Sequence, residues 1–181
     1  MNPFTPPHDP GSKIRPLWPA DSNVKAKFSP CTCYRYELSE IWNPKLPLIM
    51  WLLMNPSVAN EEHSDRTLRR TGTFARDWGY GGQLVGNVHA YRATDKKELL
   101  TVPDPNGPDN DAALLAMAQK AKIVILGYGQ PPSKALRSRG PQVVEKLRAA
   151  GASLHILRLL NDGTTPEHPL YLPGTLTPTP Y

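Results

Sequence analysis

Long apolar runs are missing from this sequence, and no stretch approaches the roughly 18 residues that a transmembrane helix needs. The N-terminus carries prolines and polar groups instead of a basic region followed by an apolar run, so no secretory leader is expected. Cysteine is almost absent. Cys31 and Cys33 stand one residue apart, poorly placed for an unstrained disulfide and too few for structural zinc. His8, His63, His89, His155 and His168 show no helical metal-ligand spacing. There is no Gly-x-x-x-x-Gly-Lys loop, no Gly-x-Gly-x-x-Gly turn and no Gly-x-Ser-x-Gly elbow. These absences predict a soluble, cytoplasmic protein with reduced thiols, no metal and no cofactor, and no membrane partner.

What is abundant is proline. The 21 prolines among 181 residues are over twice ordinary usage, with seven in the first 30 residues and a second concentration beyond Pro166. Both ends should therefore run as extended or turn-rich arms over a regular middle. With 39% hydrophobic and 20% charged residues the chain is globular, and its length suits one domain. A net charge of +5 and a pI near 9.3 permit attraction to a phosphate backbone.

Tyr34 to Leu38 alternates as a short strand, expected at a sheet edge. Leu48 to Met54 is an apolar run between Pro47 and Pro56, the pattern of a strand covered on both faces. Thr67 to Trp78 has helical spacing closed by Gly79, and Gln83 to Ala90 reads as a second buried strand. Asp109 or Asn110 can cap a helix over Ala112 to Ala121, followed by a strand over Lys122 to Gly127. Pro141 to Ala150 is helical, ended by Gly151, and Ser153 to Leu159 gives a fourth strand. This alternation predicts an α/β fold: a single three-layer, doubly wound domain with a mainly parallel four-stranded central sheet. The domain spans residues 34–172, between a Pro-rich N-terminal arm at 1–33 and a Pro/Thr-rich tail at 173–181.

In such sheets ligands bind beyond the carboxyl ends of the strands. That rule gathers Asn55, Pro56 and Ser57, then Tyr91 and Arg92, then Gly127, Tyr128 and Gly129, and finally the segment holding His168 and Tyr171. Each has a plain structural alternative. Asn55-Pro56 can simply end a strand, and Asp65 with Arg69 and Arg70 either caps and solvates a helix or forms an anion site. Arg92 reaches a phosphate or pairs with Asp65, Asp95 or Asp111; Asn110 and Asp111 cap a helix or join the site. Pro166 and Pro169 fix the backbone around His168.

Several motifs, taken in order, resemble the uncharacterised DUF1643 family: Tyr34-Arg35-Tyr36, Met54-Asn55-Pro56-Ser57, Thr67-Leu68-Arg69-Arg70, Phe74 to Gly82, Ala90-Tyr91-Arg92-Ala93-Thr94, Gly107 to Asp111 and His168 to Leu172. A more distant likeness is to the mismatch-specific uracil-DNA glycosylases, which have a Gly-x-Asn-Pro-Gly turn after the first strand and His-Pro-Ser-Pro after the last. Leu53 and Ser57 stand where that turn has glycines, and Leu170-Tyr171 replaces Ser-Pro. The resemblance implies a uracil-DNA glycosylase-like fold in which Asn55 positions a water, Phe74 stacks on an extruded base and His168 polarises its carbonyl. A glycosylase needs those three jobs done.

The expected function is recognition of a nucleobase or nucleotide, with glycosylase-like cleavage of a modified or damaged base in nucleic acid, DNA foremost. Alternatives are a non-catalytic nucleic-acid or nucleotide-binding module and a metal-independent nucleoside hydrolase. Asn55 and His168 would be catalytic, and replacing either with Ala is expected to spare folding because loop polar groups seldom support a core.

Overall fold

The computed structural model describes residues 16–181. The first part of the Pro-rich arm, including His8, lies outside the described residues. The strands are β1 (Asn23–Phe28), β2 (Arg35–Ile41), β3 (Leu48–Leu53), β4 (Gly82–Asn87), β5 (Ala121–Leu126), β6 (Leu154–Ile156) and β7 (Thr179–Pro180). The helices are α1 (Arg66–Asp77), α2 (Asn110–Lys120) and α3 (Arg139–Ala149). All seven strands form one sheet in the order β1-β2-β4-β3-β5-β6-β7.

The β4, β3, β5 and β6 strands run parallel, while β1, β2 and β7 add to the two sides in antiparallel fashion. Strand β3 is central because both its faces are apolar. Ile49, Trp51 and Leu53 meet Leu68, Phe74 and Ala75 of α1, whereas Met50, Leu52 and Met54 meet Leu114 and Met117 of α2 and Val143 and Leu147 of α3. Period-two alternation thus feeds two separate cores, one on each side of the sheet. Each fully buried large side chain contributes roughly 1.5–3 kcal/mol relative to exposure.

Glycine lets α2 come close. A Cβ at Gly86 would stand 2.4 Å from Leu114 Cδ2 and 2.8 Å from Met117 Cε. Helix α1 begins at Asp65, whose side chain accepts the Leu68 amide at 2.9 Å, and Gly79 follows its end with φ of 78°.

Four expectations change, the first being the four-stranded sheet: seven strands form it, because three antiparallel strands extend the parallel four. The strand begun near Tyr34 is not at the edge, since β1 pairs outside it with Asn23 opposite Ile41. Strand β1 alternates lysines outward, the usual way of blunting an edge. The C-terminal tail also joins the sheet, with Pro180 opposite His155 at the far edge, where a missing N–H is tolerated. The fourth parallel strand is shorter than its sequence run, Leu154–Ile156, because the chain then bends and Leu159 bridges back to Pro166. No helix among the described residues is long and apolar enough to cross a membrane.

Candidate functional site

A cavity of about 450 Å³ opens at the carboxyl ends of β3, β4 and β5, a size typical of small-ligand pockets. It is graded in depth. Arg35 and Asn87 are each 2% exposed, Leu53 is buried beside them, and Tyr171 stands 79% exposed with Lys96 and Gln130 at the mouth. Between these limits lie Asn55, Ser57, Asp65, Thr67, Gly129 and His168.

Asn55 follows β3 and is fixed by its own side chain. Its Nδ2 donates to the Pro56 carbonyl at 3.0 Å and to the Ala93 carbonyl at 2.8 Å. The amide's free partner is therefore its oxygen, an acceptor. His168 precedes a short 3-10 turn, Pro169–Tyr171, and its Nδ1 accepts the Leu170 amide at 3.3 Å. Burial holds the imidazole pKa below its ordinary 6.5, with Asp65 opposing and Lys96 reinforcing that shift. The ring is accordingly neutral at pH 7, and with Nδ1 accepting, its proton resides on Nε2. One side of the site offers an acceptor and the other a donor.

Gly129 belongs here for a steric reason. It has φ of 65°, donates its amide to the Pro166 carbonyl at 2.9 Å, and a Cβ on it would lie 3.3 Å from His168 Cβ. Tyr128 is 6% exposed and its hydroxyl pKa is pushed up to about 12 by burial. It is a wall, not a proton carrier at neutral pH.

The remaining sequence candidates lie elsewhere. Phe74 is 1% exposed in the α1 core, stacked on Trp78 at 5.0 Å and tilted against Trp51 at 6.1 Å, so it presents no face to the cavity. Arg70 covers the Phe74 ring at 4.5 Å and donates to the Leu172 carbonyl, and Arg69 donates to the Leu17 carbonyl. Pro56 is buried behind Asn55, and Gly127 packs against Pro169. Tyr91 meets Tyr34 edge-on at 5.8 Å. Arg92 pairs with none of the carboxylates considered for it; it donates to the Thr32 carbonyl, lies over Phe28 at 4.9 Å and borders a separate surface hollow.

Asn110 and Asp111 are structural in their contacts. Asn110 is fully buried and donates to the Asn87 carbonyl at 2.9 Å, while Asp111 pairs with Arg139 and Lys146, tying α2 to α3. Asp109 holds the cap position of α2 without a side-chain hydrogen bond.

Sequence reading overlooked Arg35, Asn87 and Lys96. Arg35 starts β2, and because β2 is antiparallel to β4 its first residue lies beside the carboxyl end of β4. Its Nη1 donates to the Ala59 carbonyl at 3.0 Å and its Nη2 to Asn87 Oδ1 at 3.4 Å. A polar Asn87 at the end of a buried strand was the available signal. Burial lowers the Arg35 pKa to about 10, an effect that Asp65 partly offsets, leaving the guanidinium charged at neutral pH.

Architecture and cavity together define a mixed α/β protein with a pocket of mixed polar and apolar lining at the carboxyl edge of its central strands. Residues 35–170 match a family described as "Protein of unknown function (DUF1643)", and the chain belongs to that family. It is also similar to a "Dynein axonemal assembly factor 3 homolog" from Chlamydomonas reinhardtii, 33% identical over 100 residues, covering 49% of this chain. The match spans 14% of that protein's length. No solved structure matches the chain significantly.

Proposed function

We propose that this protein recognises a nucleobase or nucleotide in the Asn55–His168 cavity and hydrolyses its N-glycosidic bond, in the manner of a glycosylase acting on a modified or damaged base. One observation carries the reading. An oriented amide oxygen on Asn55 and a neutral Nε2–H donor on His168 belong to residues that line the same cavity. In that chemistry water adds to the sugar carbon, the bond to the base breaks with its electron pair leaving on the base, and the proton the water gives up ends on the departing base. Asn55 Oδ1, with Asp65 as a second acceptor, would hold the water, and His168 Nε2–H would stabilise the charge growing on the base. An oriented donor in a water-poor site is worth roughly 3 kcal/mol of transition-state stabilisation.

A second reading is a module that binds a nucleotide without cutting it. The position of Phe74 favours it, since the aromatic expected to stack on a base lies in the core. Tyr171, 79% exposed at the mouth, is the exposed aromatic available for stacking, with Tyr128 in the wall.

Incubating the protein with DNA carrying uracil or other modified bases, and with free nucleosides and nucleotides, tests both. Released base or abasic sites, lost in His168→Ala, support cleavage. Binding of these ligands without release of base supports the module, and neither binding nor release removes both readings.

A further inference from the structure

Arg35 is a deep cation on the cavity wall that forms no ion pair among the described residues. It is 2% exposed, and its hydrogen-bond partners, the Ala59 carbonyl and Asn87 Oδ1, are neutral. Among the described residues it makes no ion pair, and its buried Nε has no hydrogen-bond partner. Asp65 is near enough to favour the charged guanidinium, but the two form no ion pair, and Asp65 Oδ1 accepts the Leu68 amide at the start of α1. Buried charges are normally paired, because burial strips away the water that would otherwise stabilise them. A buried guanidinium on the wall of a cavity, with no ion-pair partner, is therefore half of an interaction.

We propose that Arg35 receives the terminal phosphate of a free mononucleotide, which enters the cavity phosphate first. The planar guanidinium fork matches phosphate oxygens, and a phosphate provides the missing negative charge. Depth selects the source of that phosphate. An internal phosphodiester continues into chain on both sides and would remain at the mouth, near Lys96 and Tyr171, whereas a terminal phosphate has one attachment and can reach Arg35. The volume of about 450 Å³ exceeds what an inorganic anion needs and leaves room for sugar and base beside Asn55 and His168. The nucleotide part of this inference rests on the function proposed above; the anion part stands on Arg35 alone.

Titration calorimetry with the four common nucleoside 5′-monophosphates, their nucleosides, inorganic phosphate and a short oligonucleotide without a terminal phosphate tests the proposal on the full chain. At least one monophosphate should bind roughly tenfold or more tightly than its nucleoside, the difference expected from a charge-assisted hydrogen bond. Inorganic phosphate should compete with it, and Arg35→Met should erase the difference between monophosphate and nucleoside. Should Arg35→Met fail to fold, the wild-type comparison of monophosphate with nucleoside and the phosphate competition still decide.

Equal affinity for nucleoside and monophosphate overturns the phosphate site and leaves base recognition intact. Phosphate binding that depends on Arg35, with no response to any nucleoside or nucleotide, keeps the anion site and removes the mononucleotide. Tighter binding of the oligonucleotide than of every monophosphate overturns the choice of a free nucleotide, and no binding of any probe overturns the proposal entirely.

Discussion

Asn55 donates its side-chain amide to the Ala93 carbonyl across 2.8 Å, joining the loop after β3 to the loop after β4. The same nitrogen reaches the Pro56 carbonyl, and the Ala93 amide in turn donates to Pro56 at 2.9 Å. Ala93 is 2% exposed, so its carbonyl has little access to water if Asn55 is removed. Leaving a buried acceptor unpaired costs about 1–3 kcal/mol. Asn55→Ala should therefore lower the free energy of unfolding by that amount, measured in urea, as well as impair function. This revises the expectation that the change would spare folding. Asn55→Asp, which sets a carboxylate against two carbonyl oxygens, should destabilise more than Asn55→Ala.

Phe74 separates core from site. Its ring packs against both Trp51 and Trp78, which also contact each other, and lies under Arg70, with 1% exposure. Phe74→Ala should cost about 3–5 kcal/mol of stability through the cavity it leaves. Phe74→Leu should lose less, and in the folded fraction should bind ligand as the parent does. A selective loss of ligand affinity in the leucine variant, with stability intact, would restore Phe74 to the site.

Acid should weaken the fold before its carboxylates titrate. His168 and His89 both have pKa values below the ordinary 6.5, in each case chiefly through burial. The unfolded chain therefore takes up protons near pH 6.5, while the folded chain resists until lower pH. Between those limits the unfolded state holds more protons, so stability is full above about pH 6.5 and falls as pH drops below it. Urea unfolding between pH 7.5 and 5 should show that slope. His168→Asn and His89→Asn should each remove part of it, and an unchanged slope in both variants would sink the assignment.

The central strands are legible because their signal is local. Leu48–Leu53 is apolar on both faces and bounded by prolines, which dictates a strand covered on two sides before any partner is known. Strand β1 is quieter, six residues with Lys25 and Lys27 between smaller apolar groups, and β7 has only Thr179 and Pro180; both exist through pairing more than through propensity. The candidate site divides in the same way. Asn55 and His168 stand beside prolines in turns, which a sequence displays. Arg35 reaches the cavity through an antiparallel register, Leu38 opposite Val85, that no local pattern encodes. Phe74 could have been placed in the core from helical spacing with Leu68, Thr71 and Ala75, and the glycosylase likeness drew it outward instead.

Gly140, in the first turns of α3, controls the position of a cavity wall. A Cβ there would stand 2.7 Å from Tyr128 Cε2 and 2.9 Å from Cζ, too close for the ring to remain where it is. Gly140→Ala recovers up to about 1 kcal/mol of helix propensity, but displacing a packed ring costs about 1–3 kcal/mol. The net expectation is a loss of about 1 kcal/mol of stability together with weaker ligand binding, because Tyr128 lines the cavity with Gly129 and His168. The two effects can be assigned through a double-mutant cycle. Tyr128→Leu withdraws the ring atoms that clash, so adding Gly140→Ala to it should be neutral or stabilising, with a coupling of about 1 kcal/mol or more between the sites. If Gly140→Ala costs the same stability in both backgrounds, the ring is not what the glycine makes room for, and the link from α3 to the cavity wall fails.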